Sequence, residues 1–99
     1  MKIDIQAPFQ VFEHTKELIE DKLNKMSTFY DRILNAKVFL RDDVNRFNHK
    51  TNRVVEIQLE VPGTTFFAES SDETFEQALA SAAEKIKKQV LKHKEKAEI

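Results

Sequence analysis

The stretch from Arg53 to Val61 constrains this chain more than any other part of it. Val55, Ile57, Leu59 and Val61 alternate with Glu56, Gln58 and Glu60. A period of two marks a strand with one buried and one wet face. Pro62-Gly63 follows at once. Pro presets φ at the second position of a tight turn, and Gly accepts the positive φ that a type II turn needs at its third. The chain must reverse there, so Thr64–Glu69 returns as a partner strand. A sheet with one apolar face needs a second layer to cover it.

The remaining elements supply that layer. Lys2–Gln6 alternates Ile3 and Ile5 with polar residues, and Pro8 ends it. Glu13–Met26 is rich in Glu, Lys and Leu with no Gly or Pro, which favours helix. Leu18, Ile19, Leu23 and Met26 recur at helical spacing. Ala36–Arg41 reads as a strand with Val38 and Leu40 on one face. The polar stretch Asp42–Asn52 reads as a mobile loop. Ser71 or Asp72 can cap a last helix over Glu73–Lys96, with Phe75, Leu79, Ala82, Ile86 and Val90 as its apolar stripe. The predicted class is α+β, in the order β-α-β-β-β-α. It is a four-stranded sheet with two helices on one face, resembling a double-stranded-RNA-binding domain with an extra N-terminal strand. The 99 residues make one domain, 1–99, without repeats or linkers.

Composition narrows the function classes. No cysteine is present, which excludes disulfides and thiolate chemistry and suits a reducing cytosol. No apolar run approaches the roughly 20 residues of a membrane span, and the N-terminus lacks the apolar core of a signal peptide. The chain is therefore expected to be cytoplasmic, with no membrane partner. Gly63 is the only glycine, so no phosphate-cradling loop exists. His14, His49 and His93 lack metal-ligand spacing and are expected at the surface. Glu20-Asp21 and Asp42-Asp43 are adjacent carboxylates; neighbours on a helix diverge, so Glu20-Asp21 is no acid/base pair. These absences point away from an enzyme, a cofactor, a metal or a small-molecule substrate. Phe39 and Phe67 fall on the wet sheet face, where a cross-strand pair or packing beneath the loop is preferred over base stacking.

The charge pattern is more telling. Net charge is −1, but residues 1–83 carry ten Lys+Arg against fourteen Asp+Glu, while residues 84–96 carry six lysines against two glutamates. Lys88, Lys92 and Lys96 form an i, i+4, i+8 row, and Lys85 precedes it by one turn. Like charges at that spacing repel, and an RNA backbone would relieve the repulsion. The alternative is a solvated helix end favoured by the dipole. Lys22 falls between Leu18 and Met26 in a row that is otherwise apolar. It is either a functional exception or a snorkelling side chain. Lys25 faces a similar direction. Helices lying side by side would join Lys22 and Lys25 to Lys85, Lys88 and Lys92 in one basic surface.

Two segments carry a family resemblance. Lys22-Leu23-Asn24-Lys25-Met26 through Phe29-Tyr30-Asp31-Arg32-Ile33 resembles the end of the first helix in the ribosome hibernation promoting factor and protein Y family. Lys85-Ile86-Lys87-Lys88-Gln89-Val90-Leu91-Lys92-His93-Lys94-Glu95-Lys96 resembles that family's second helix. Strand order and hairpin match as well. The resemblance implies a protein that binds the small ribosomal subunit and its rRNA between head and body. There it would overlap the messenger RNA and transfer RNA sites and inhibit translation under starvation or in stationary phase. By position, Lys22, Lys25, Lys85, Lys88 and Lys92 carry over as rRNA-binding residues, with Lys94 and Lys96 further along the same helix. The stretch Val11-Phe12-Glu13-His14 lacks the Thr cap of the family, and Thr15 would cap only a shorter helix. Ending at Ile99, the chain looks like the short form, and ribosome dimers are a possible assembly.

Two other classes stay in view. A protein-interaction module modulating a transcription factor, such as an alternative sigma factor, would use the acidic body. An enzyme would need a pocket with perturbed titratable groups.

Overall fold

The structure is a computed structural model describing residues 1–44, 47–48 and 50–97, apart from the side chains of Lys96 and Ala97. His49 and the side chain of Lys96 lie outside the described residues. The elements are β1 (Lys2–Gln6), α1 (Glu13–Met26), β2 (Asn35–Val44), β3 (Thr51–Val61), β4 (Thr64–Asp72) and α2 (Phe75–Ala97). The order is the expected β-α-β-β-β-α. β1 pairs with β2 in parallel, and β2, β3 and β4 form an antiparallel meander, giving the sheet order β1-β2-β3-β4.

Both ends of the expected Asp42–Asn52 loop are strand, Phe47 and Asn48 lie in a turn, and residues 45, 46 and 49 lie outside the described residues. Asp42, Asp43 and Val44 pair with Arg53, Asn52 and Thr51, so β2 and β3 run past the core as a polar hairpin arm. Ladder bonds and the Arg53–Asp42 ion pair hold this arm without apolar burial. Composition alone therefore misreads it. Pro62-Gly63 turns β3 into β4, closed by the Val61–Thr64 pair, with Gly63 at φ 83° as a type II turn requires.

Strand direction dictates helix direction. The parallel β1–β2 pair needs α1 as its crossover, and the meander leaves β4 parallel to β2. Each helix follows a strand of that sense and returns against it, so α1 and α2 lie side by side and parallel. Residues 14–19 accordingly face 73–79, and residues 22–29 face 80–87.

Ile19, Leu23 and Met26 of α1 and Leu79, Ala82, Ile86 and Val90 of α2 pack on Val38, Leu40, Val55, Ile57 and Leu59 of the sheet. Lys22 does not interrupt this stripe. It is exposed on the flank of α1 that faces α2, beside the buried stripe of Ile19, Leu23 and Met26. On the open sheet face Val54 is buried beside the Arg41–Glu69 ion pair (2.9 Å), which reaches across β3 from β2 to β4. Phe39 and Phe67 do share that face, but β3 lies between them. Phe39 is level with Glu56 and Phe67 with Gln58, so they form no cross-strand pair, and Phe67 stays 55% exposed.

Ile57 is fully buried at the centre of this packing. Ile57→Ala should lower stability by about 2–5 kcal/mol, read as a shift in urea midpoint at constant m-value.

Candidate nucleic-acid interface

The two helices end and begin differently, and the differences place the cations. α2 starts with a capping box. Thr74 Oγ1 accepts from Gln77 N–H (3.1 Å), and Gln77 Oε1 accepts from Thr74 N–H (3.2 Å). The cap is therefore Thr74, and not the expected Ser71 or Asp72. Asp72 instead accepts from Glu73 N–H. At the other end, α1 closes without glycine. The hydroxyls of Ser27 and Thr28 donate to Asn24 O and Lys25 O (2.6 Å each), carbonyls that also accept the Ser27 and Thr28 N–H groups (3.2 Å each) in a tightened last turn. Lys94 Nζ donates to Phe29 O (3.3 Å) and ties this end to α2.

Between the helices runs a narrow groove of about 170 Å³ with Lys22, Lys25 and Lys87 along it, against one acid, Glu84. Its floor is short because Ala80 and Ala83 let the helices approach. Lys87 Nζ sits 4.6 Å from the centre of the Phe29 ring, a cation–π contact. Lys87 was absent from the sequence-derived set. Its signal was available: a step of one residue is about 100° around a helix, which swings Lys87 from the Lys88 row to the Ala80/Ala83 side.

The lysines of α2 therefore form two stripes. Lys87 and Lys94 border α1. Lys85, Lys88 and Lys92 are exposed and lie within about 60° of one another by helical spacing. The structure brings Lys22 and Lys25 to Lys87; it does not bring them to Lys85, which is turned towards β4. There Lys85 Nζ donates to Glu69 O (2.8 Å), and Gln89 Nε2 donates to Phe67 O (2.7 Å). Two residues one helical turn apart thus satisfy alternate carbonyls along the edge strand β4, because about 6 Å of helix rise matches about 7 Å of strand rise.

His93 is not a plain surface histidine. Its half-buried ring meets Phe66 and Tyr30 edge-on, at 5.4 and 6.0 Å between centroids. This aromatic set anchors the basic end of α2 to β4 and to the segment after α1. A polar hollow of about 450 Å³ opens there between residues 27–32 and Lys94, with Arg32 on its wall.

Across residues 3–98 the chain matches the family model described as sigma 54 modulation protein / S30EA ribosomal protein. The chain belongs to this family. It is 34% identical over 85 residues to a ribosome hibernation promotion factor of Deinococcus radiodurans, covering 86% of this chain and 44% of that protein. It is 27% identical over 97 residues to a ribosome hibernation promoting factor of Pseudomonas putida, covering 97% of this chain and 89% of that one. The chain thus spans less than half of the first relative and most of the second. Relatives of both lengths carry the names of ribosome factors, not of enzymes. The fold is shared with a ribosomal subunit interface protein from Coxiella burnetii (TM-score 0.81, 21% identity, 95% of this chain and 98% of that one). It is shared too with the N-terminal domain of protein Y from Thermus thermophilus (TM-score 0.76, 24% identity, 91% and 96%). Among the described residues there is no cluster of acids and histidines able to hold a metal, and no helix long and apolar enough to cross a membrane.

Replacing Lys85 and Gln89 together by Ala should remove both edge-strand bonds. The expected loss is about 1–2 kcal/mol, at the low end of two hydrogen bonds because the sites are exposed. Hydrogen exchange should quicken along β4 while helix content by circular dichroism stays constant.

Proposed function

We propose that this protein binds the small ribosomal subunit through rRNA and silences translation by occupying the messenger RNA and transfer RNA channel. The observation that carries this reading is the gathering of cations at the C-terminal halves of two parallel helices. Lys22, Lys25 and Lys87 line one groove, and Lys88 and Lys92 stand exposed on the crest beside it. Two rows of cations about a helix width apart suit phosphates on an RNA surface. Such binding reads shape more than sequence. The mechanism is exclusion: a rigid domain seated on rRNA blocks other ligands and needs no chemistry. The relatives' names supply the hibernation setting, in which translation stops when growth does. In this reading the protein works in the cytoplasm.

The seven sequence-derived lysines are not equivalent in this reading. Lys88 and Lys92 present free ammonium groups, and Lys22 and Lys25 act with Lys87. Lys85 and Lys94 contribute field while their ammonium groups bond backbone carbonyls.

Lys88→Glu with Lys92→Glu should weaken co-sedimentation with small subunits on the order of tenfold or more at moderate salt. Each lost phosphate contact also flattens the salt dependence. The thermal midpoint should hardly move, since both residues face solvent. Excess transfer RNA should displace the wild-type protein. A folded double variant that binds as tightly as wild type would remove these lysines from the interface.

A further inference from the structure

α1 lacks the cap that α2 has. Phe12 occupies its N-cap position, makes no side-chain cap bond and is 80% exposed. Ser, Thr, Asp or Asn there would stabilise the helix. An exposed aromatic at such a position breaks a local rule, and such breaks concentrate at functional sites.

Phe12 stands at the mouth of a cleft. Where the helices begin they do not close over the sheet. Two adjoining cavities remain, of about 330 and 340 Å³, which share Thr15, Leu40, Arg53 and Phe75. The volumes suit a large side chain or small ligand. The floor is mainly apolar, with Leu40, Val55 and Leu79 beneath. Phe9 packs 5.7 Å from Phe75 yet stays 37% exposed. Arg53 is already engaged: Asp42 pairs with it, and its guanidinium lies 5.6 Å from the Phe75 ring centre.

The rim is acidic. Among the lining residues Asp42, Glu73 and Glu76 stand against Arg53, and the flanking segments 9–18 and 72–77 add Glu13, Glu17 and Asp72 against Lys16. Lys50 reaches Glu73 at 3.5 Å, which still leaves this end negative. An apolar slot with a negative rim favours a cationic chain that carries an apolar side chain, and it disfavours a polyanion.

We infer that this cleft docks a lysine- or arginine-rich peptide segment of a partner protein, with one large apolar side chain inserted beside Phe12. The site lies at the opposite end of the helix pair from the lysine groove, so RNA and peptide can be held together. Recognition here adds a protein contact that RNA binding does not supply.

The test uses the free protein, without RNA, and a short synthetic Lys/Arg-rich peptide with one central phenylalanine. Nuclear magnetic resonance titration should give saturable shifts centred on Thr15, Arg53 and Phe75. Replacing the peptide's phenylalanine by serine, or using an acidic peptide, should weaken binding at least fivefold. Phe12→Ser should do the same while raising the thermal midpoint, because it supplies the missing cap; Glu76→Lys should also weaken binding. Shifts spread over the lysine end, equal binding of the acidic peptide, or no saturation would overturn the inference. Concentration-dependent shifts at these residues without peptide would assign the cleft to a second copy instead, and overturn it equally.

Discussion

Two helices forced to run parallel on one face of the sheet set the rest of this molecule. The β1–α1–β2 crossover and the three-strand meander leave no other sense for α2. Parallel neighbours put two partial positive charges at one end and two partial negative charges at the other, and the aligned dipoles repel. Ionised side chains offset this where they are complementary. Glu13 and Glu76 lie in the first turns, and Lys25 lies in the last turn of α1. The lysine-rich half of α2 answers its own C-terminus. The acidic body and basic tail of the sequence thus become, in space, a gradient along a single helix pair.

That gradient ties stability to recognition. Lysines that offset the dipoles are also the ones exposed to a polyanion, while the acids that offset the other end disfavour one. Small residues sharpen the effect. Ala80 and Ala83 bring α2 close enough for Lys87 to reach Phe29, so three cations outnumber the one acid, Glu84, in a groove that also holds an aromatic ring.

The fold was almost fully legible from residue order. Alternation in β3, the Pro62-Gly63 turn and the apolar stripes of both helices each specify one element, and α1 was placed to the residue. What was misread has a physical reason in each case. The 42–52 stretch is polar because its hairpin arm extends beyond the core, and burial is what makes strands recognisable. Thr74 as cap was obscured by three nearby residues of equal capping ability, and only the reciprocal bond to Gln77 distinguishes it. His93 packs between aromatics that sequence separates by 27 residues or more. The lysines were visible, and helical spacing separates Lys87 from the Lys88 row, but it does not say which side meets α1. Lys85 turns to β4 because of where the edge strand's carbonyls lie, a tertiary fact that helical spacing does not contain.

The two edges of the sheet differ in what they offer another strand. Lys85 and Gln89 occupy outward carbonyls of β4, whereas β1 has a strand on one side only. In the language of polymer chemistry, a sheet with two reactive edges is a difunctional monomer and can grow without limit. This one is monofunctional. Pairing through β1 would tend to stop at two molecules, because α2 acts as a chain terminator on the other edge.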